Sequence, residues 1–145
     1  MRLMGLDLGD KTIGIAISDA LGITAQGKGV IQRTNLEKDL QDLYFYIKKY
    51  DVEEIIVGMP RNMNGTYGIR AEKTRNFVEF LRDNLEIEIK VWDERLSTVE
   101  AEKILIKGDV SRSKRKKVID KMAASIILKS YLDYTNNIKR RNRDE

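Results

Sequence analysis

Three acidic positions in this sequence fall where carboxylates could hold divalent metal ions. Asp7 lies near the end of an apolar segment that predicts a strand. Asp93 and Glu94 directly follow a second such segment, and Asp120 comes early in a long helical pattern. Carboxylate oxygens are the ligands that Mg²⁺ and Mn²⁺ prefer in proteins. If these acids converge, they suit two-metal hydrolysis of a phosphodiester bond.

Each acid also has a simpler interpretation. Asp7-Leu8-Gly9 is compatible with an ordinary turn, and Asp93 or Glu94 could form a local ion pair with Arg95. Strand alternation lets only one of Asp93 and Glu94 face a common crevice, and the sequence leaves open which one. Asp120 shares a helical face with Ala124, and an acid on such an apolar face needs a partner or compensates the helix dipole.

The composition removes several other kinds of chemistry. The 145 residues include no cysteine and no histidine. Disulfides, the usual zinc sites and imidazole acid–base catalysis are therefore excluded. Any catalysis must use oxygen or nitrogen groups of other side chains, or a metal held by oxygen ligands.

Basic residues are concentrated in two segments of a chain whose net charge is +4. One segment spans 107–117 and the other spans 139–143. Such clusters suit a polyanion, although a solvated loop and a disordered tail are the simpler interpretation. Arg95 could bind a scissile phosphate as a fork of donors. We expect contacts to flanking phosphates from the following residues: Lys11, Lys114, Arg115, Lys116 and Lys117.

Hydrophobic periodicity predicts the elements that must position these residues. Alternating patterns and short connections predict a three-strand meander over 2–8, 12–18 and 24–33. A helix begins at Thr34-Asn-Leu-Glu37, which has capping-box spacing. A buried strand (55–57), a helix (69–82), a strand (87–92), a short helix opened by a second capping box at Ser97 and a long helix (114–134) follow.

This order predicts one α/β domain over residues 1–136 and a basic, flexible tail over 137–145. Right-handed crossovers make the later strands parallel to the first. We predict the ribonuclease H-like topology: a five-stranded mixed sheet of order 3-2-1-4-5, flanked by helices. The carboxyl ends of its parallel strands form the expected crevice, which brings the acids together.

The motifs resemble those of one family from about Leu3 to Asp133. The chain resembles the YqgF/RuvX family of bacterial ribonuclease H-like proteins, to which pre-16S rRNA processing or Holliday-junction resolution is ascribed. The order and spacing of the motifs are specific, although each is weak alone. The matching segments are Gly5-Leu-Asp7-Leu-Gly9, Ile13-Gly-Ile-Ala16, Ile56-Val-Gly58-Met-Pro60, Asn64-Gly65, Asp93-Glu-Arg95, Ser97-Thr98, Glu100-Ala101 and Asp120-Lys-Met-Ala-Ala124.

The resemblance implies that Asp7, Glu94 and Asp120 are catalytic, and that these three and Asp93 bind Mg²⁺ or Mn²⁺. The fourth strand ends at Gly58-Met59-Pro60 without an acid. Glu94 must therefore reach Asp7 across two strand spacings of about 4.8 Å each. Thr12 departs from the family, whose members often carry Arg there.

The resemblance also implies a function, with alternatives. It favours an endonuclease that processes the 5′ end of pre-16S rRNA, whose partners would be pre-rRNA and ribosomal precursor particles. A Holliday-junction resolvase, which would need a dimer, and a non-catalytic RNA-binding assembly factor are the alternatives. Asp7-Leu-Gly9 with Lys11-Thr12 also resembles the first phosphate motif of sugar kinases and actin-like ATPases.

Two expectations concern the environment of the protein. No apolar run approaches the roughly 18 residues that a membrane span needs, and the first residues do not have the pattern of a signal peptide. We therefore expect a cytoplasmic protein without membrane contact. The sequence has no decisive dimer signature, so we expect a monomer or a weak homodimer.

Overall fold

A computed structural model describes residues 2–60 and 67–144, without the side chains of residues 96–102, 116, 120 and 144. The turn predicted at Asn64-Gly65 lies outside the described residues. Five strands and four helices follow one another in the order that the sequence predicts. They are β1 (Arg2–Leu8), β2 (Thr12–Ser18), β3 (Ala25–Gln32), α1 (Leu36–Tyr50), β4 (Val52–Met59), α2 (Ile69–Asn84), β5 (Glu88–Asp93), α3 (Glu94–Lys107) and α4 (Arg112–Asp144).

The five strands form one mixed sheet of order β3-β2-β1-β4-β5, which confirms the predicted topology. Strand β1 pairs antiparallel with β2 and parallel with β4. Strand β5 pairs parallel with β4, in a register that sets Met59 opposite Asp93. The carboxyl ends of β1, β4 and β5 therefore lie at the same edge of the sheet.

Each face of the sheet has its own hydrophobic core, because successive side chains of a strand point to opposite faces. Leu6 and Val57 pack with Leu43 of α1 and Leu81 of α2 on one face. Ile56 packs with Leu128 of α4 on the other face. The sheet is thus covered by helices on both sides, as the fold class predicts.

Helix α4 lies very close to the sheet. A Cβ atom placed on Gly5 would be 2.7 Å from the Cβ of Leu128 and 2.9 Å from the carbonyl oxygen of Ala124. The Asn136 amide of α4 donates to the carbonyl of Gly22, in the turn between β2 and β3. Since that turn lies at the amino end of β1, α4 runs antiparallel to β1. Its first turns therefore lie towards the edge where Asp7 lies.

Two helix boundaries differ from the sequence predictions. Helix α3 begins at Glu94 directly after β5, because the Asp93 side chain caps it, so Ser97 lies inside the helix and does not open it. Helix α4 extends from Arg112 to Asp144, well beyond the predicted range of 114–134. The segment predicted as a flexible tail is therefore helical up to Asp144. Arg141 and Arg143 lie in its last turn, where cations complement the helix dipole.

The fold also bears on membranes. Within the described ranges, no helix combines the length and the apolar character that a membrane crossing requires.

Candidate active site

Asp7 occupies the carboxyl edge of the central strand. It is the second-last residue of β1 and lies opposite Gly14 of β2. A Cβ atom on Gly14 would be 3.6 Å from both the Asp7 Cβ and the Ala124 Cβ. The half-buried Asp7 side chain therefore lies on the face covered by α4.

Glu94 brings a second carboxyl group to Asp7. The two side chains are hydrogen-bonded, although β4 lies between the strands that carry them. Glu94 spans this separation because α3 starts at Glu94 without an intervening loop. Of the two adjacent acids, Glu94 is thus the one that contacts Asp7, a question that strand alternation left open.

The environment of Glu94 favours its neutral form. Burial raises the pKa of the Glu94 carboxyl, and the negative charge of Asp7 raises it further. The Arg70 guanidinium opposes this shift and lowers the same pKa. The hydrogen bond that the neutral Glu94 carboxyl donates to Asp7, and the charge of Asp93, add to the upward shift. Two carboxyl groups in contact therefore hold a site at which a positive charge would be stabilised.

Asp93 has a different role in the described structure. Its carboxylate accepts a hydrogen bond from the Arg95 backbone N–H at 3.0 Å and caps α3. The same carboxylate binds the Arg95 guanidinium through Nε at 3.3 Å and Nη2 at 3.0 Å. This bidentate pair raises the pKa of Arg95. The local ion pair considered from the sequence is therefore present.

Asp120 can be placed by its backbone. It lies on α4 one helical turn before Ala124, the residue that faces Gly14 and Asp7. The turn that carries Asp120 is thus nearer the carboxyl edge of β1 than Ala124. Its side chain lies outside the described part of the structure, so its predicted role as a third acid stays a prediction.

Asp7 and Glu94 could supply two of the ligands of a divalent metal site. Their contacting carboxyl groups supply hard oxygen ligands of the kind that Mg²⁺ and Mn²⁺ prefer. Among the side chains that the structure describes, no three His, Cys, Asp or Glu residues converge in a manner that could hold a metal. A third protein ligand would have to come from elsewhere, and the position of Asp120 is suitable.

The turn after Asp7 is held by a buried ion pair that sequence analysis did not identify. The Arg33 Nη1 donates to the Gly9 carbonyl at 2.8 Å, and the Arg33 backbone N–H donates to the Lys11 carbonyl at 2.9 Å. Arg33 Nε also lies 3.3 Å from the carboxylate of Asp39, which is only 1% exposed. Arg33 thus joins α1 to the β1–β2 turn.

The predicted phosphate-binding cations lie in three places. Lys11 is exposed in the β1–β2 turn, next to the acids, and Arg95 is paired with Asp93. Lys114 and Lys117 are exposed in the first turns of α4, whereas Arg115 Nη1 donates to the Val110 carbonyl at 2.8 Å and so holds its own helix start. The side chain of Lys116 lies outside the description.

Helix α2 contributes cations that sequence analysis missed. Arg70 lies in its first turn and acts electrostatically on Glu94, and Lys73 Nζ lies 3.3 Å from the Asp10 carboxylate. The sequence did contain a signal for them. Helix α2 follows the carboxyl end of β4, so its first turn must lie at the same edge as Asp7.

Comparisons with known proteins agree with this fold. The model of the RuvX family, described as Holliday junction resolvase, matches residues 1–134. A protein of Halothermothrix orenii named "Putative pre-16S rRNA nuclease" is 64% identical over 138 residues, which are 95% of this chain and 99% of that protein. A relative of the same name in Desulforamulus reducens is 62% identical and covers 92% of this chain and 97% of its own length.

Two solved structures show the same fold at low sequence identity. RuvC of T. thermophilus, in complex with a Holliday junction substrate, has a TM-score of 0.62 and 11% identity, and the match covers 94% of this chain and 95% of that chain. The yeast mitochondrial Holliday junction resolvase has a TM-score of 0.57 and 12% identity, with coverages of 95% and 80%. The fold is therefore the ribonuclease H-like fold of these resolvases.

Proposed function

Because the chain belongs to the RuvX family, we propose that it is a nuclease that hydrolyses phosphodiester bonds with the aid of Mg²⁺ or Mn²⁺. The observation that supports this most directly is the contact between the carboxyl groups of Asp7 and Glu94 at the carboxyl edge of the parallel strands. Asp120, one turn from Ala124, is the proposed third catalytic acid.

The proposed substrate is the 5′ region of pre-16S rRNA, in the cytoplasm and in ribosomal precursor particles. The names of the two relatives, which match nearly the whole chain at more than 60% identity, support RNA over DNA. The exposed cations at the same edge support a polyanionic substrate. Residues 1–136 would then form the nuclease domain, and the basic residues after them would add charge.

Each residue at the edge has a distinct task in this proposal. Asp7 and Glu94 would hold the metal, and Arg70 and the metal would both favour the ionised form of Glu94. The bound metal would supply a nucleophilic hydroxide and stabilise the leaving oxygen. Asp93 fixes the start of α3, which sets the position of Glu94. Asp93 is the proposed additional metal ligand, and it would have to bind the metal while its two carboxylate oxygens hold Arg95.

The cations would position the substrate backbone. Lys11, in the turn after β1, and Arg95, the residue after Glu94, would bind phosphates close to the cleaved bond. The first turns of α4 would bind flanking phosphates through Lys114, Arg115, Lys116 and Lys117. No acid occupies the first turn of α4, so the positive end of the helix dipole adds to this charge.

Cleavage of a four-way DNA junction is the second candidate, because the family model carries the description of a Holliday junction resolvase. Two symmetric cuts need two active sites, so this function requires a dimer. Sedimentation of the protein with and without a junction tests this requirement. A protein that stays monomeric on the junction would not be a resolvase.

The test of the proposal is a cleavage assay on a 5′-extended 16S rRNA precursor and a four-way DNA junction in parallel. Reactions contain Mg²⁺, Mn²⁺ or EDTA. We expect metal-dependent cleavage of the precursor by the parent protein and at least a hundredfold slower cleavage by Asp7→Asn, Glu94→Gln and Asp120→Asn, in the range for loss of a group that acts on the transition state.

Asp10→Asn is the matched control for these variants. Asp10 lies three residues after Asp7, in the β1–β2 turn, but its side chain is largely exposed and pairs with Lys73. This variant should cleave like the parent. Full activity in a folded Asp7→Asn protein would refute the metal site, and binding without cleavage under every condition would indicate a non-catalytic RNA-binding factor.

A further inference from the structure

The second half of α1 carries a cluster of aromatic side chains, of which Tyr46 and Tyr50 pack partly against the core while Tyr44 and Phe45 face solvent. Phe45 is 60% exposed and Tyr44 is 48% exposed, whereas Leu43 and Ile47 of the same helix are buried. The helix is thus already anchored by its own aliphatic face. Exposed aromatic groups on the outer face of such a helix contribute little to its packing.

Three of these rings form a continuous series. The Phe45 and Tyr46 centroids are 5.6 Å apart with nearly perpendicular planes. Tyr46 and Tyr50 stack, with their centroids 6.4 Å apart and their planes 16° apart. The series therefore extends over more than one helical turn towards β3. There the Tyr46 hydroxyl lies against Gly29, where a Cβ atom would clash with it.

Lysines are interleaved with these rings. Lys49 Nζ lies 5.7 Å from the Phe45 centroid and 5.5 Å from the Tyr50 centroid. Lys28 of β3 reaches the Tyr50 ring at 5.6 Å. We call Phe45, Tyr46, Lys49, Tyr50 and Lys28 the aromatic–lysine surface. Lys48 Nζ lies 5.3 Å from the Tyr44 centroid, and this pair extends the surface further around the helix.

The charge of this surface is not neutralised locally. Within the described part of the chain, no salt bridge joins Lys28, Lys48 or Lys49 to a carboxylate. The acids of α1 lie in its first half, where Asp39 binds Arg33 and Asp42 binds Lys38. The surface therefore combines one exposed ring and two half-buried rings with a net positive charge.

We propose that the aromatic–lysine surface binds single-stranded nucleic acid. Unpaired bases stack on aromatic side chains, and lysines hold the phosphates between them. A duplex presents its phosphates but keeps its bases stacked inside, so it gains only the electrostatic part. The inference rests on the proposed nuclease function and specifies which part of a substrate this face takes.

The location of the surface indicates that it would bind a segment of the substrate that flanks the cleaved bond. It lies on the sheet face opposite α4, and Tyr44 is eight residues, about 12 Å, along α1 from Leu36. The start of α1 is close to the active edge, because Arg33 joins Asp39 to the Gly9 turn. A strand bound at the surface could therefore run along α1 to the active edge and cross that edge to reach the acids on the other face.

The test measures binding apart from cleavage. A fluorescein-labelled oligouridylate and an RNA duplex of equal length are titrated with protein in EDTA. The protein carries Asp7→Asn to prevent cleavage, and it is compared with the same protein that also carries Phe45→Ala or Lys49→Ala. We expect each added change to raise the Kd for oligouridylate roughly tenfold. The Kd for the duplex should change much less with Phe45→Ala.

Leu36→Ala and Lys38→Ala are the matched controls. They remove an exposed apolar side chain and an exposed lysine from the first turn of the same helix, and should leave both Kd values unchanged. An unaltered oligouridylate Kd in folded Phe45→Ala and Lys49→Ala proteins would overturn the inference. Equal losses for duplex and single strand with Phe45→Ala would also overturn it.

The outcome is distinguishable from that of the nuclease proposal. If the parent protein fails to cleave but Phe45→Ala still weakens oligouridylate binding, the nuclease proposal falls and this inference stands. If cleavage is confirmed but Phe45→Ala and Lys49→Ala leave the oligouridylate Kd unchanged, the nuclease proposal stands and this inference is wrong. If Phe45→Ala alters sedimentation without altering the Kd, the surface is a contact between two copies of the chain and the inference is wrong.

Discussion

At the scale of single residues, the contact between Glu94 and Asp7 is unfavourable for the isolated fold. Both groups could be solvated in the unfolded chain, whereas folding buries Glu94 beside another carboxyl group. Such like-charge pairs occur where function requires them, because a bound cation turns repulsion into coordination. The contact between Glu94 and Asp7 should therefore lower the stability of the folded protein without metal, and bound metal should raise it.

We predict that Glu94→Gln stabilises the metal-free protein at neutral pH. The pKa of Glu94 is higher in the folded chain than in the unfolded chain. Its favourable contribution is complete below the unfolded value of about 4.3 and is lost as the pH rises through the folded value. Glutamine has no such loss. Above the folded pKa of Glu94, the Tm of the variant should thus exceed that of the parent, and below the unfolded pKa the two Tm values should be equal. Thermal unfolding in EDTA at several pH values measures this difference.

Metal supplies the complementary measurement. Mg²⁺ or Mn²⁺ should raise the Tm of the parent more than that of Glu94→Gln, because binding to the folded state stabilises it by mass action. A variant that is less stable than the parent at pH 7 would show that Glu94 has a favourable structural partner. Asp10→Asn should shift neither profile.

At the residue scale, the sequence predicted a set of candidate acids but not the contacts that Asp7, Asp93 and Glu94 make. Asp7 and Glu94 could be selected because residues after parallel strands share one edge. The choice of Glu94 over Asp93 depended on where α3 begins, and this is determined by one hydrogen bond between a side chain and the backbone. Arg70 was missed because helix α2 was interpreted only through its apolar face.

At the scale of elements, Arg33 connects the start of α1 to the β1–β2 turn. Its guanidinium lies over the Phe77 ring at 5.3 Å and holds both Asp39 and the Gly9 carbonyl. The Asp39 carboxylate also accepts from the Thr34 N–H at 3.1 Å. A turn that follows Asp7 directly is thereby fixed by a residue distant from it in the sequence.

We predict that Arg33→Met destabilises the protein by about 3 kcal/mol, since it leaves a buried carboxylate without its ion pair. It should also slow cleavage, because the Gly9 carbonyl loses its donor. Urea unfolding and single-turnover cleavage measure the two effects. Adding Asp39→Asn should recover part of the stability but not the rate. A stability loss below about 1 kcal/mol would contradict the predicted role of the pair.

Element boundaries were predicted least well, for a definite reason. The pattern Thr34-Asn-Leu-Glu37 predicts Thr34 as the cap, but Asn35 caps α1 by accepting from the Lys38 N–H at 2.9 Å. The Thr34 N–H binds Asp39 instead. Several residues near a helix start can act as a cap, and tertiary contacts such as that of Asp39 with Arg33 decide among them. Element order and strand order, which depend on periodicity and chain connection, were predicted correctly.

At the scale of the whole molecule, α4 carries positive charge at both of its ends. Lys114 and Lys117 lie at the end near the acids. Lys139, Arg140 and Arg143 lie at the opposite end, about 35 Å away along the helix axis. A nucleic acid that crosses the active edge reaches the first cluster without reaching the second.

We predict that Lys114→Gln with Lys117→Gln weakens RNA binding and reduces the slope of log K against log salt concentration by about 1 to 2, because each lost phosphate contact removes roughly 0.7 to 0.9 of slope. Lys139→Gln with Arg140→Gln removes the same charge from the other end and serves as control. Equal slope changes in both double variants would show that only total charge matters.

The close packing of α4 against β1 restricts which substitutions the glycine codons of the gene can accept. Any single-base missense change in a glycine codon adds at least a β-carbon, and at Gly5 that atom would collide with Leu128 and the backbone of Ala124. At Gly58 the obstacle is the side chain of Ile127 alone, whose Cδ1 and Cγ1 atoms would have to shift, and no backbone atom is in the way. Codon 5 should therefore accept only synonymous changes, whereas codon 58 retains a path to alanine.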